Sequence, residues 1–302
     1  MSLMTTFGKM VVILFAIAMG FLANRLGYFS EESNRKLTKL VLNITMPCMI
    51  LASVLAGNDL PDINAIISFF KILLIFYGVE ALFMLAAPHV IGGTPAQKNI
   101  WRFVCLFPNA SFIAYPVIEA LFGEGAIFYA VMLCLPYNVI NFSFGPALLG
   151  GGARFRWKAL CTPAMISSAA ALTFALGGVR APALMGDMLD FVGDVTVPLS
   201  LLILGSILAG LKTKNVFAKP RLWVLSVFRL LIMPVTLLLI LRPVGLDPVV
   251  LGVVVVEMAM PAAVNGAMLC MEYNGDIESM AQTIFVTTIL SVVTIPLVAM
   301  LL

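Results

Sequence analysis

Long apolar stretches separated by short polar connections run along the whole chain. A helix needs about 20 apolar residues to cross the hydrocarbon core of a bilayer. Ten stretches come close to this length, so we predict ten transmembrane helices within a single membrane domain, 1–302. Numbered as helices 1 to 10, they span about 7–24, 37–56, 66–87, 100–121, 126–149, 160–178, 185–209, 222–241, 248–271 and 279–302.

The composition agrees with a chain that is solvated by lipid. Hydrophobic residues make up 62% of the chain and charged residues 11%, whereas a soluble domain carries roughly 25% charged residues. So few charges cannot cover a water-exposed surface of this size. We therefore predict an all-α integral membrane protein. The net charge of +3 is too small to favour nucleic-acid binding.

The sequence carries no pattern that points to enzyme chemistry. Its five cysteines lie in or beside apolar runs without a CxxC spacing, and its single histidine has no cysteine or acidic cluster nearby. Phosphate-binding loops, dinucleotide fingerprints and paired catalytic residues are also missing from the sequence. We therefore predict no enzyme activity, no metal site and no cofactor apart from a coupling ion.

The distribution of positive charge predicts the orientation in the membrane. Thirteen lysines and arginines fall on the odd-numbered connections, against three on the termini and the even-numbered connections. Lysine and arginine concentrate on cytoplasmic connections. The odd-numbered connections should therefore face the cytoplasm, with both termini outside it.

An internal repeat is the most informative feature of the sequence. Helix 2 contains a polar residue, a threonine and a proline at Asn43–Pro47, and helix 7 repeats this order 151 residues later at Asp194–Pro198. Helix 4 contains Pro108, and helix 9 contains Pro261, which lies 153 residues further along. We therefore divide the chain into repeat one, about 1–149, and repeat two, about 160–302.

Each repeat contains five predicted helices. An odd number of helices forces the second repeat to enter the membrane from the opposite side. Such inverted repeats are typical of secondary transporters, whose sites lie near the midplane where discontinuous helices meet. A receptor that binds a ligand without moving it would gain nothing from this arrangement.

The prolines of helices 4 and 9 predict where those helices break. Proline lacks a backbone N–H and clashes with the carbonyl four residues earlier, and the freed groups need protein, water or a ligand as partners. If both helices break and cross, their half-helix N-termini suit a carboxylate; alternatively, the prolines only kink packed helices. Asn138 and Asn141 share a face of helix 5 and either line the cavity or hold helices together. The candidate substrate-binding residues are Pro108, Asn109, Ser111, Pro261, Asn265, Asn138 and Asn141.

Ionisable residues within the predicted helices are candidates for coupling. Such residues are costly in a bilayer and usually serve a function or have a partner. Glu257 lies four residues before Pro261 and is the first candidate for a site for H⁺ or Na⁺. Glu80 in helix 3 and Asp194 in helix 7 are further candidates, and either could instead form a structural ion pair, for example with Arg229.

Several stretches resemble the auxin efflux carrier family, which includes the plant PIN-FORMED carriers and many bacterial members. They are LNITMPCMILASVLAG, FPNASFIAYPVIEALFGEGAIFYA, VPLSLLILGSILAG and MAMPAAVNGAMLCMEYNGDIESMAQTIFVTTILS. The resemblance implies the fold of sodium/bile-acid symporters and sodium/proton antiporters. Helices 1, 2, 6 and 7 would form a scaffold that dimerises through helices 2 and 7, and helices 3–5 and 8–10 would form a moving transport domain.

The resemblance also implies an activity. Members move organic anions such as malonate, malate or auxin-like acids by elevator-type alternating access, with helices 4 and 9 crossing at the substrate site. The connection after helix 5 is short, as in bacterial members, which implies the bacterial inner membrane. A sodium-coupled symporter of the bile-acid type, with oxygen ligands from Glu257, Asn109 and Asn265, and a non-transporting receptor remain alternatives.

Overall fold

The described part of the chain is helical. In a computed structural model, residues 3–55, 63–110, 113–150, 161–179, 181–210 and 218–302 are described. These residues form no β-strand, and one isolated bridge joins Pro108 to Ala262. The α-helices of the first half are α1 Leu3–Arg25, α2 Glu31–Leu40, α3 Met46–Leu55, α4 Ile63–Ile91, α5 Pro95–Leu106, α6 Ala114–Phe122 and α7 Ile127–Leu148.

The second half continues in the same way. Its α-helices are α8 Pro163–Leu176, α9 Ala183–Gly193, α10 Thr196–Gly210, α11 Pro220–Val227, α12 Met233–Leu241, α13 Pro248–Met258, α14 Asn265–Glu272 and α15 Ile277–Ala299. Two π-helical turns, Val41–Thr45 and Phe228–Ile232, connect α2 to α3 and α11 to α12.

Length and hydropathy support insertion in a membrane. Within the described ranges, five stretches are long and apolar enough to cross a bilayer, and two shorter apolar helices, Pro163–Leu176 and Pro248–Met258, accompany them. The helical membrane class is thus supported, while the ten spans in two inverted repeats stay a prediction. The five long stretches are Glu31–Leu55, Ser68–Ile91, Ala183–Gly210, Pro220–Val244 and Ile277–Ala299.

Prolines explain the irregular turns inside three of these stretches. A proline cannot donate to the carbonyl four residues earlier and pushes it away, so the helix widens or bends there. Pro47 follows the first π turn, where the N–H of Met46 bonds to the carbonyl of Val41. Pro234 follows the second, where the N–H of Met233 bonds to the carbonyl of Phe228.

The chain divides into two compact units. The first comprises Met1–Phe70, Ser111–Pro136 and Trp157–Gly210, and the second comprises Lys71–Ala110, Tyr137–Arg156 and Leu211–Leu302. Helices α5 and α6 therefore belong to different units. The assignment of helices to a scaffold and a transport domain stays a prediction.

Glycines bring helix backbones together in the first unit. A Cβ atom added to Gly20 on α1 would lie 2.0 Å from the carbonyl oxygen of Leu202 on α10. One added to Gly205 on α10 would lie 1.9 Å from the carbonyl oxygen of Ile17 on α1. Small residues permit this close packing in membranes, where lipid-facing side chains gain little by leaving lipid. Helices α1 and α10 therefore pack backbone to backbone.

In the second unit, α15 contacts α5, α11, α13, α14 and the turn Phe228–Ile232. Its buried face carries hydroxyl groups that donate to its own backbone. Thr283 donates to the carbonyl of Ser279, and Thr287 donates to the carbonyl of Thr283, each at 2.7 Å. These bonds let α15 present polar atoms inside the unit without leaving their donors unpaired.

Replacement of Gly20 by alanine should destabilise the first unit. The new methyl group would overlap the backbone of α10, which cannot rotate away as a flexible side chain can, and such overpacking costs about 1–3 kcal/mol. We expect a lower melting temperature for purified Gly20→Ala in detergent. Gly8→Ala on the same helix is the matched control, because no described atom lies within 4 Å of that Cβ position. Equal melting temperatures for the two variants would contradict the close contact.

Candidate functional site

The first helix break lies between α5 and α6. Helix α5 ends at Leu106, and Phe107 adopts an extended conformation with φ −124° and ψ 91°. Pro108 follows at once and cannot continue the helical hydrogen-bond pattern. The chain becomes helical again at Ala114. Phe107, Pro108 and Asn109 are all buried.

The second break lies between α13 and α14. Helix α13 ends at Met258, and the N–H of Met260 bonds to the carbonyl of Glu257 at 3.2 Å. Pro261 then interrupts the pattern, and α14 begins at Asn265. Ala259, Met260, Ala262 and Ala263 are 3% exposed or less, and Pro261 is buried as well. Each break thus contains one buried proline that is followed by an asparagine. Asn109 comes one residue after Pro108, and Asn265 comes four residues after Pro261.

The two breaks pair with each other inside the second unit. The N–H of Asn109 donates to the carbonyl of Pro261 at 2.8 Å, and the N–H of Ala263 donates to the carbonyl of Phe107 at 3.2 Å. Between them, Pro108 and Ala262 form an antiparallel bridge. The N–H of Ala262 points to α15, where it donates to Oγ1 of Thr287 at 3.2 Å. Backbone groups freed by the prolines therefore find partners within the protein.

Three asparagines near these breaks retain unused hydrogen-bonding capacity. Asn109 is buried, and its Nδ2 atom has no partner among the described residues. Neither side-chain atom of Asn141, which is fully buried on α7, has a partner there, and the same holds for Oδ1 of Asn265. Buried polar atoms without partners are costly and uncommon. These amides are therefore the polar atoms at the breaks that are available to a ligand.

Phe103 connects the surroundings of Asn141 to those of Asn265. A Cβ atom at Gly145 would lie 3.2 Å from Oδ1 of Asn141 and 3.3 Å from the Phe103 ring. A Cβ atom at Gly266 would lie 2.7 Å from the same ring. Both glycines therefore make room for Phe103, which packs beside α7 and the start of α14.

Two further predicted substrate residues remain. Asn138 is half-buried on α7, one turn before Asn141. Ser111 lies outside the described residues. The structure thus joins Pro108 and Asn109 directly to the break that contains Pro261, and it places Asn265 at the start of the helix that follows.

Asp194 lies in the first unit, whereas the other two coupling candidates, Glu80 and Glu257, lie in the second. It caps α9 at an exposed position four residues before Pro198. With Glu119, Glu124 and Asp190 it lines a shallow acidic pocket. No group of three side chains arranged to hold a metal ion occurs in the described part of the chain.

Glu80, Arg229 and Glu257 form a buried charged group in the second unit, here called the charge triad. The side chains are 0%, 0% and 1% exposed, respectively. Arg229 interacts electrostatically with both carboxylates, and the carboxylates interact with each other. The triad therefore combines two acidic groups with a single guanidinium in the buried interior of the second unit.

The triad is held by helix irregularities and aromatic packing. Arg229 lies in the π turn before Pro234, and Glu257 lies in the last turn of α13 before the second break. On α4, Phe83 is one turn after Glu80, and its ring meets Phe228 with centroids 4.9 Å apart. This contact places the Glu80 face of α4 beside the turn that carries Arg229.

Arg229 has few partners for its five N–H groups. Its Nη1 atom contacts the sulfur atoms of Met233 at 3.5 Å and Met258 at 3.7 Å, and thioether sulfur is a weak acceptor. Its Nε and Nη2 atoms have no hydrogen-bond partner in the described ranges, nor do the four carboxylate oxygens of Glu80 and Glu257. In the described structure the three side chains thus interact through their charges, without a hydrogen-bonded ion pair.

Sequence reasoning identified the individual charges but not their grouping. Pro234, five residues after Arg229, signals an irregular turn, although a proline alone does not show which residues it turns towards. The contribution of Thr287 was also missed. Its spacing of four residues from Thr283 and Ser291 on one face of α15 was the available signal.

Comparisons with known proteins agree with this architecture. The pattern of a family described as membrane transport protein matches residues 5–146 and 152–299. An uncharacterized transporter of Methanothermobacter thermautotrophicus is 27% identical, over 94% of each chain. The uncharacterized transporter MJ1031 of Methanocaldococcus jannaschii is 26% identical, over 95% of this chain and 96% of its own.

A bacterial relative extends the comparison. The uncharacterized transporter YfdV of Escherichia coli K12 is 21% identical, over 96% of this chain and 95% of its own. The family match covers nearly the whole sequence, in line with the motifs at the two breaks and with the apolar helices. The chain therefore belongs to the membrane transport protein family, whose members resemble auxin efflux carriers.

Proposed function

We propose that this membrane transporter is a secondary carrier for small organic anions, with its substrate site at the paired breaks. The observation that supports this most directly is the pairing of Phe107–Asn109 with Pro261–Ala263 beside unpartnered asparagine amides. Irregular backbone at membrane depth is tolerated where it is buried in protein or lines a cavity. Breaks of this kind form the substrate sites of many secondary transporters.

The available groups suit a carboxylate. The Nδ2 group of Asn109 is a donor without a partner in the described structure, and a hydrogen bond to a charged acceptor contributes about 1.5–3 kcal/mol. Asparagine amides are neutral, so they bind an anion without the strong attraction of a buried lysine or arginine. A carrier needs such moderate binding because it must also release its substrate.

The start of α14 adds favourable electrostatics. Its N-cap residue, Val264, makes no side-chain capping bond, so the partial positive charge of the helix end is not compensated by a side chain there. Helix N-termini of this kind bind carboxylates and phosphates. Asn265, the first residue of α14, would lie beside a carboxylate bound at this end.

We extend the proposal to the mechanism and assembly. Elevator-type movement needs a rigid scaffold, and the backbone contact of α1 with α10 supports one. Exposed apolar residues on α9, among them Met188 and Phe191, agree with a homodimer through helices 2 and 7 or with lipid contact. We also place the protein in the bacterial inner membrane, and the charge distribution supports an orientation with both termini outside the cytoplasm.

Removal of the asparagine amides should weaken transport without unfolding the protein. We expect Asn109→Ala and Asn265→Ala each to reduce malonate or malate uptake into proteoliposomes by about tenfold, the effect of losing about 1.4 kcal/mol of binding. Asn43→Ala, at an exposed position in the turn Val41–Thr45, is the matched control. Full uptake by both site variants, at normal expression and melting temperature, would refute the site.

Independent ion gradients should identify the coupling. We expect malonate or malate uptake to respond to an imposed proton gradient and not to a sodium gradient, because Glu257 lies beside Arg229, whose charge repels a second cation. The measurement is radiolabelled uptake with the two gradients varied separately. Stimulation by sodium alone would instead support a symporter of the bile-acid type, and uptake without either gradient would indicate a facilitator.

A further inference from the structure

The proposed substrate contacts at the breaks do not involve the charge triad, yet the triad concentrates the most costly side chains of the second unit. Glu80, Arg229 and Glu257 come from three separate elements, α4, the turn Phe228–Ile232 and α13. All three are at least nine-tenths buried, and four carboxylate oxygens and two guanidinium nitrogens lack partners in the described chain. Such an arrangement calls for a function beyond packing.

Charge counting shows what the triad lacks. Two ionised carboxylates and one guanidinium leave one uncompensated negative charge. An uncompensated charge in a low-dielectric interior is strongly unfavourable. Addition of one positive charge would make the triad neutral, and its loss would return the negative charge.

The surrounding groups favour a proton over a metal cation as that charge. Arg229 already lies near both carboxylates and repels a further cation. The nearby sulfur atoms of Met233 and Met258 are soft ligands, whereas sodium prefers several hard oxygen ligands. A proton needs only one carboxylate oxygen and occupies no additional volume.

Two other titratable groups face the triad. Cys105, fully buried near the end of α5, interacts electrostatically with Arg229 and Glu80. Tyr137 on α7 interacts with Arg229, and its ring packs against Phe107 of the first break at 5.8 Å. Both groups are neutral in their ordinary state, so neither supplies the missing positive charge.

We propose that Glu80 and Glu257 share one exchangeable proton beside Arg229, which makes the charge triad a proton-binding site. In the protonated form, one glutamic acid is neutral and the other glutamate balances Arg229. In the deprotonated form, both carboxylates compete for the Nε and Nη2 edge of Arg229, which suits bidentate binding of a carboxylate.

The position of Glu257 connects proton binding to the substrate site. It lies in the turn of α13 that ends at the second break, and the carbonyl of Glu257 accepts the N–H of Met260. A shift of Glu257 towards Arg229 would therefore move the segment that pairs with Phe107–Asn109. This part of the inference rests on the proposed carrier function, whereas the proton site itself does not.

Infrared spectroscopy of the purified protein in lipid nanodiscs tests the proton site without any substrate. A protonated buried carboxyl group gives a carbonyl stretching band that an ionised carboxylate lacks. We expect this band in the wild-type protein at neutral pH and its loss at alkaline pH. Its absence at every pH, or its persistence at all pH values, would overturn the proposal of an exchangeable proton.

Three substitutions assign the band. Glu80→Gln and Glu257→Gln should each weaken it by the contribution of one carboxyl group, because the remaining glutamate would balance Arg229. Arg229→Gln should increase it about twofold, because both acids would then be uncompensated and buried. If Arg229→Gln does not fold, Glu80→Gln and Glu257→Gln are sufficient to assign the band. Glu31→Gln, at an exposed position on α2, should leave the band unchanged, and a band of wild-type strength in both Glu80→Gln and Glu257→Gln refutes the assignment.

A transport measurement separates this inference from the proposed function. In proteoliposomes, Glu80→Gln and Glu257→Gln should remove the stimulation of malonate uptake by a proton gradient. If malonate is not transported, the infrared result still decides the proton site. If malonate is transported but the band is absent, the carrier function stands and the proton site is refuted.

Discussion

Backbone hydrogen bonding in a medium without water is the constraint on which this structure depends. Pro108 and Pro261 interrupt two helices within the apolar part of the chain, and each interruption frees groups that lipid cannot satisfy. The protein solves this by pairing one break with the other through the N–H groups of Asn109 and Ala263, and by directing Ala262 to Thr287. Once the backbone is satisfied in this way, the asparagine side chains remain available for a ligand.

The same constraint accounts for the other irregular turns. Pro47, Pro198 and Pro234 each lie four residues after a carbonyl that loses its helical donor, and each follows a π turn or a short non-helical turn. In the first unit these turns lie among tightly packed helices. In the second unit, the turn at Phe228–Ile232 carries a buried arginine instead. Similar backbone defects therefore serve packing in one unit and place a charge in the other.

Much of the fold followed from the sequence because its causes are local. Apolar length located the helices, and prolines located the breaks. Helix 3 was predicted to end at about residue 87, whereas α4 continues through Pro88 to Ile91. Pro88 lacks the N–H that would bond to the carbonyl of Met84, so it costs α4 one helical hydrogen bond close to its end. The grouping of Glu80, Arg229 and Glu257 could not be predicted, because their neighbours depend on how separate helices pack.

The turn at Phe228–Ile232 has a consequence for the evolution of this chain. A π turn corresponds to one extra residue in an otherwise regular α-helix. Loss of a single codon there would restore 3.6 residues per turn and remove the bulge, so the residues within the turn would take new positions around the helix axis. Arg229 would then lie away from Glu80 and Glu257, although the gene would still encode all three charged residues. Gaps of one residue at this place should therefore be rare in relatives that keep both acids.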